Sequence, residues 1–345
     1  MIDQLPDWPT FGMAEDVRPA LRKASESHDF LILATLVKVG GGGPRPEGTQ
    51  MVFAPSVVAG YFSGGCVEGD VAGHARACLE DGEPRTLVYG EGSPWPDIRL
   101  LCGARIEIFM ERLAADDPAL ADILAAEDAR RPLTYASDGR RRASAPWREA
   151  KVVKLYEPVP RLVIVGGDPT ALAIAELGVK SGFETTLIRP KGPAAPPPIE
   201  GVIYRRDEPA DGLAAVGLDP WTYVAVATHD LETDRAALKV ALPSEAAYVG
   251  LLGARRRLAG RLAELEAEGM PKARIAALHA PIGLPIGGKA PFEVAVSVIG
   301  EITALRYARA RGSTSNTSPA AAGGAPAGRR RSALATAKTL TSEES

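Results

Sequence analysis

Arg161-Leu162-Val163-Ile164-Val165-Gly166-Gly167-Asp168-Pro169 opens a segment that continues through an Ala/Leu-rich stretch to Ser181-Gly182 and then Glu184-Thr185-Thr186-Leu187-Ile188. A short all-apolar run reads as a buried strand, the glycine pair as a turn, and the Ala/Leu stretch as a helix that Gly182 closes. Strand, glycine turn, helix and strand within about thirty residues form a βαβ unit, which makes the sheet parallel. Further short apolar strands follow at Val202–Tyr204, Tyr223–Ala227 and Tyr248–Leu252, separated by helical stretches at Asp234–Ala241 and Arg255–Glu268. The expected fold is α/β, with a doubly wound parallel sheet in this half and an apolar helix, Phe292–Ala310, after it.

Such Rossmann-like sheets collect ligands at the carboxyl ends of their strands. Gly166 and Gly167 stand at the first of those ends. A dinucleotide fingerprint needs Gly-x-Gly there, so that backbone can touch a pyrophosphate, but the third position is Asp168. The ribose-binding acid expected after the next strand is replaced by Arg189, which could pair with Asp168 or meet a phosphate. The fold signal survives while most of the NAD(P) signal is lost. Thr228-His229-Asp230 and Gly253-Ala254-Arg255-Arg256-Arg257 occupy two other carboxyl ends. A helix start bearing guanidinium groups suits an anion, and the same arginines could equally face solvent. The stiff loop His279–Gly287, with Gly283 at its middle, is a third candidate.

Upstream, Phe30–Val39 (FLILATLVKV) is nearly all apolar, as a strand covered on both faces would be. It runs into Gly40-Gly41-Gly42-Gly43-Pro44-Arg45-Pro46-Glu47-Gly48. Thr49–Phe53 and Val58–Phe62 read as a strand pair, followed by Ser63-Gly64-Gly65-Cys66-Val67-Glu68 and a helix from Val67 to Leu79. Runs of glycine are entropically costly and mark unusual dihedrals or close approach to a ligand. Cys66 has two readings: a thiol at a helix N-terminus, where backbone N–H groups favour thiolate, or a small buried hydrophobe. Cys102 sits beside Gly103 before the strand Arg105–Met110, whereas Cys78 falls in mid-helix as packing. Met13–Asp29 and Asp116–Arg130 read as helices, and Leu133–Val153 as a polar, hairpin-like end to the N-terminal region. With Glu157-Pro158-Val159-Pro160 as linker, the expected division is 1–155, 156–311 and a disordered tail, 312–345, rich in Ser, Thr, Ala, Gly and Pro.

At 345 residues the chain is long enough for roughly two domains. Its net charge of -3 gives no general pull toward nucleic acid or anionic membrane. Three cysteines argue against a disulfide framework, no apolar run is long enough to cross a bilayer, and Met1–Pro6 lacks the order of a signal peptide, so a cytoplasmic protein is expected. Four scattered histidines lack the spacing of a dedicated zinc site.

Several segments together resemble the XdhC/CoxI family of accessory proteins for molybdenum hydroxylases: Gly43-Pro44-Arg45-Pro46-Glu47-Gly48-Thr49-Gln50-Met51, Gly64-Gly65-Cys66-Val67-Glu68, Leu101-Cys102-Gly103, Thr228-His229-Asp230, Tyr248–Arg256 and Ala280-Pro281-Ile282-Gly283-Leu284. The resemblance implies an N-terminal mixed α/β domain of that family followed by the Rossmann-like domain. It implies a chaperone that binds molybdenum cofactor (molybdopterin) and assists its sulfuration and insertion into a xanthine or carbon-monoxide dehydrogenase-type client, with a cysteine desulfurase as sulfur donor and a homodimer as the working form. The site residues it implies are Arg45, Gly48, Gly64, Gly65, Cys66, Glu68, Cys102, Gly166, Gly167, Thr228, His229, Gly253, Arg255, Arg256 and Gly283, with the Cys66 sulfur facing the metal. In that picture the glycine loops supply N–H groups to the phosphate and Arg45 adds charge-assisted bonds. Asp168 and Ala254 depart from the family pattern, which has glycine and a small hydroxyl residue there. The alternatives are an NAD(P)-linked oxidoreductase and a thiol-based sulfur carrier using Cys66 and Cys102.

Overall fold

Two five-stranded sheets and one three-stranded sheet carry the chain in a computed structural model. It describes residues 5–43, 45–91, 93, 100, 103–253 and 255–314, the side chains of 255–257 and 309–314 excepted. Residues Met1–Ile302 cluster as one unit and Thr303–Ser345 as another.

In chain order the elements are α1 (Arg18–Ser27), β1 (Phe30–Gly40), β2 (Gln50–Ala54), β3 (Val57–Ala59), α2 (Glu68–Asp81), β4 (Arg85–Tyr89), β5 (Arg105–Ala114), α3 (Pro118–Asp128), β6 (Leu133–Ser137), β7 (Arg142–Ala143) and β8 (Val152–Tyr156). There follow β9 (Arg161–Gly166), α4 (Pro169–Lys180), β10 (Glu184–Ile188), β11 (Val202–Arg205), α5 (Pro209–Val216), β12 (Thr222–Ala227), α6 (Leu231–Ala241), β13 (Tyr248–Leu251), α7 (Arg255–Ala267), α8 (Lys272–Ala276) and α9 (Pro291–Thr314).

The first sheet is antiparallel in the order β3-β2-β1-β5-β4, with β1 at its centre. Its apolar run is explained by burial on both faces. Ile32, Ala34 and Leu36 join a core with α2, whereas Leu31 and Leu33 join one that includes α1, α3 and the three-stranded sheet. That third sheet, β7-β6-β8, realises the hairpin expected at Leu133–Val153 and extends it to Tyr156. Glu111 of β5 joins the two sheets: fully buried, it accepts from Tyr135 Oη (2.8 Å) and Ser137 Oγ (2.6 Å) and pairs with Arg142 at 3.0 Å.

Of the boundaries that differ from expectation, two have a clear local cause. The helix expected from Met13 begins at Arg18, because the Asp16 carboxylate accepts the Arg18 N–H and Pro19 lies in the first turn. The strand expected to reach Phe62 ends at Ala59: Gly60 turns with φ +85, and a Cβ there would collide with the Gln50 carbonyl.

The second large sheet is parallel, in the order β11-β10-β9-β12-β13. This is the doubly wound order in which ligands meet the carboxyl ends of β9 and β12. Arg130, just after α3, ties it to the upstream sheets. In left-handed backbone (φ +48), it bonds Asp219 (2.9 Å), Glu184 (3.0 Å) and the Val159 carbonyl (3.0 Å).

Candidate functional site

The Cys66 loop is built around a carboxylate. Glu68, 2% exposed at the first turn of α2, folds back so that one oxygen accepts the N–H groups of Phe62 (2.8 Å) and Ser63 (2.6 Å). Its other oxygen accepts the N–H groups of Gly65 (2.8 Å) and Val67 (3.2 Å) and the Ser63 hydroxyl (2.8 Å). Ser63 Oγ in turn accepts the Cys66 N–H at 2.9 Å. Turning the chain this tightly requires left-handed backbone at Gly64 (φ +84) and Gly65 (φ +117). A Cβ on either would meet open space, so conformation and not crowding demands the glycines.

Cys66 is thereby left exposed between the buried Phe62 and Val67, so the buried-hydrophobe reading is excluded. Cys78 is the buried thiol, pushed up to about 11 by desolvation. Two other expectations are corrected. Glu68 does not point to a ligand; its oxygens are spent inside the loop. The amides of Phe62, Ser63, Gly65 and Val67 are likewise turned inward and are not phosphate donors.

Burial alone would push the Glu68 carboxyl up, but the Ser63 amide and hydroxyl and the Phe62 amide outweigh it and hold the group below its usual range. A depressed carboxyl stabilises above its unfolded pKa and loses that contribution as pH falls through the folded value. Amide protection over residues 62–67 is therefore expected to persist as pH falls through the ordinary glutamate range, about 4.3, and to disappear only below it. Hydrogen exchange as a function of pH measures this.

Of the other N-terminal segments, the one holding Arg45 reaches the residues just before the Cys66 loop. The Arg45 guanidinium lies 4.8 Å from the centre of the Tyr61 ring, next to the Cys66 loop, and pairs with Glu15. The Tyr61 side chain is also met by Gly12, where a Cβ would stand 3.3 Å from the ring. Gly41 approaches the Gly103 carbonyl, which brings the Gly40–Gly43 run beside Gly103. Cys102 itself lies outside the described residues. Gly48 turns with φ +84 against the Lys154 side chain, whose ammonium is pushed down from the usual lysine range by burial. Sequence reading missed Ser63, Tyr61, Glu15 and Lys154. The one available signal was Ser63, a hydroxyl residue three before Cys66.

At the carboxyl ends of the parallel sheet, several of the described candidates contact one another. Asp168 caps α4, accepting the Ala171 N–H at 2.7 Å, and meets His229 Nε2 at 3.0 Å. Of the two readings of Arg189, the pair with Asp168 is not formed: Asp168 meets His229, and the Arg189 side chain lies over Gly167. A carboxylate caps the helix end that a dinucleotide's pyrophosphate would need, which removes the basis for an NAD(P) site. Asp168→Ala is expected to cost about 1 kcal/mol through loss of the cap, readable as a shift in the urea midpoint.

Thr228 lies 2.7 Å from the buried Asp234, which also pairs with Arg261, and accepts the Asp230 N–H. Its hydroxyl serves the loop. His229 is largely exposed, its side chain 82% accessible. Gly253 faces Arg261. The side chains of Arg255 and Arg256 lie outside the described residues. Gly283 turns with φ +88 and donates its N–H to Glu301 (2.9 Å), which also receives Tyr248 Oη (2.6 Å) and meets His279 Nδ1 at 3.1 Å.

Among the described residues, no group of three or more His, Cys, Asp or Glu side chains could hold a metal ion, and no helix is long and apolar enough to cross a membrane. Surface cavities of about 360 and 520 Å³ are lined by Glu127, Arg130 and Glu184 and by Ser25, His28 and Pro55, and none of the expected site residues lines either.

Fold and site together define a protein with an antiparallel sheet bearing an exposed thiol on a glycine loop, joined to a doubly wound sheet whose nucleotide turn is altered. The chain matches the XdhC and CoxI family over residues 24–90 and the XdhC Rossmann domain over residues 162–302. It is 30% identical to the molybdenum cofactor insertion chaperone PaoD of Escherichia coli K12, over 85% of this chain and 90% of that one. It is 25% identical to a probable xanthine dehydrogenase subunit of Bacillus subtilis 168, over 81% and 94% of the respective chains. A crystal structure of a xanthine dehydrogenase from Bacillus halodurans shares the fold with a TM-score of 0.69 at 23% identity, covering 85% of this chain and 96% of that one. The chain belongs to the XdhC and CoxI family.

Proposed function

We propose that this chain is an accessory protein in molybdenum-enzyme maturation, one that binds molybdenum cofactor and assists its sulfuration and insertion into a xanthine dehydrogenase-type client. The observation that carries the reading is the exposed Cys66 thiol on a preformed loop, with Arg45 stacked on Tyr61 just before it. Similarity to PaoD along nearly its whole length supports it.

The residues fit the cofactor in part. A soft, accessible sulfur suits molybdenum or a labile sulfur on it. Bound cofactor would supply an oxidised metal held by a dithiolene; Cys66 would face that end. The phosphate falls to Arg45, which would exchange Glu15 for it, since the Cys66-loop amides are occupied by Glu68. A cysteine desulfurase as sulfur source, a homodimer and a cytoplasmic location complete the proposal.

The test is purification of the full chain, and of its Cys66→Ala variant, from cells that make the cofactor. Molybdenum is measured by mass spectrometry and pterin by fluorescence after oxidation. Loss of about tenfold or more in retained metal and pterin is expected, equivalent to roughly 1.4 kcal/mol of binding. Equal retention by the variant would remove Cys66 from the site.

A further inference from the structure

We infer that Glu68 is the positioning residue for Cys66: a resident carboxylate that takes the place of a bound oxyanion in the loop 62–67 and holds the thiol outward through Ser63. The inference rests on the function proposed above, because it concerns how the same thiol is presented.

Four backbone N–H groups and one hydroxyl converge on this single side chain, all from within six residues of it. Rings of successive N–H groups are the usual receptors for phosphate and other oxyanions. Here the anion is covalently part of the chain, so the loop takes its bound shape with no ligand present. Ser63 relays the constraint. Its hydroxyl donates to Glu68 and its oxygen accepts the Cys66 N–H, placing Cys66 one hydrogen bond from the carboxylate. A Cβ built on left-handed Gly64 or Gly65 would meet nothing within 4 Å, so no neighbouring side chain crowds the loop into this shape. Without the carboxylate, four donors would point at an empty, nearly inaccessible space, at the cost of an unmet buried group for each.

Glu68→Gln keeps the shape of the side chain but presents an NH2 group to donors. Glu68→Ala empties a space that formate can fill. Three quantities are read on the full chain: hydrogen exchange at residues 62–67, the rate of Cys66 alkylation by iodoacetamide resolved by peptide mapping, and molybdenum retained on purification. In Glu68→Gln, exchange is expected to quicken at least about tenfold. Alkylation is expected to rise at least about threefold, because a loop released from the carboxylate no longer fixes the Cys66 backbone through Ser63. Retained molybdenum is expected to fall at least about tenfold. Formate is expected to return the Glu68→Ala loop toward wild-type exchange and alkylation, a rescue that a simple loss of stability would not show. Should Glu68→Gln fail to fold, Ser63→Ala, which removes only the relay, is expected to shift alkylation and retention in the same directions.

Unchanged alkylation and retention in a folded Glu68→Gln protein overturn the inference, and leave the proposed function standing if Cys66→Ala still loses cofactor. Retention by Cys66→Ala overturns the cofactor role of the thiol, while exchange, alkylation and formate rescue still decide whether Glu68 sets the loop.

Discussion

Glu111→Ala is expected to destabilise the protein by about 3–5 kcal/mol, the cost of breaking a buried pair by removing one partner. In the wild-type protein the carboxylate receives the Tyr135 and Ser137 hydroxyls and the Arg142 guanidinium, and Arg142 also reaches Asp117 at 3.2 Å and the Arg112 carbonyl at 2.8 Å. Burial pushes the Glu111 carboxyl up, yet removing it leaves two hydroxyls and a guanidinium facing a void between the antiparallel sheets. Thermal unfolding followed by circular dichroism should show a midpoint lowered by about 10 °C, taking 2–4 °C per kcal/mol for a unit of this size. Glu111→Gln, which keeps the side-chain volume and one acceptor oxygen but turns an NH2 toward the other donors, should lose less than Glu111→Ala. The double variant Glu111→Ala/Arg142→Ala should be less destabilised than the sum of the singles, since each single strands the other's partner. An additive result would show that the pair does not couple the sheets.

Gly166→Ala is expected to cost about 3 kcal/mol, the upper end of overpacking, and to disturb the parallel sheet before the antiparallel one. A Cβ at Gly166 would collide with the Ala227 carbonyl oxygen and stand 3.0 Å from Ala171 Cβ. Ala227 is its register partner on β12, so the backbone cannot yield without opening the β9–β12 ladder. Gly64→Ala makes the informative contrast. It meets no atom, and its cost is the left-handed backbone alone, about 1–2 kcal/mol. Urea midpoints for the two variants rank these causes; equal midpoints would refute the crowding argument. Gly166 is thus required by sheet packing whether or not a ligand binds there, and its presence in the sequence says nothing about a cofactor.

The contrast between those glycines explains which parts of the site could be read in advance. Gly64 and Gly65 beside Cys66 signalled a turn but left the thiol's exposure open, and the structure leaves it exposed. Glu68 was expected at the site only through the family resemblance of the motif it ends. Its inward rotation depends on where the amides of Phe62, Ser63, Gly65 and Val67 point, which a one-dimensional pattern does not contain. Asp168 was legible as a departure from a nucleotide turn. Its partner was not, because His229 reaches it from another strand's loop, 61 positions away in the chain.

Local patterning by itself determined the parallel half of the fold and the central place of β1. Apolar runs, glycine turns and helical spacing are short-range features, and a βαβ segment has essentially one way to bury them. The opening of α1 was also written locally, in Asp16 and Pro19, although apolar spacing alone overran it. Only the tertiary structure decided what charged residues do. Glu111 occupies a polar slot of an alternating strand, yet β6 and β7, contributed by later chain, cover that face and turn the side chain into a buried junction. Arg45, Arg130 and Glu68 follow the same rule. A charge takes its role from the groups brought within a few ångströms of it, and those groups arrive by folding.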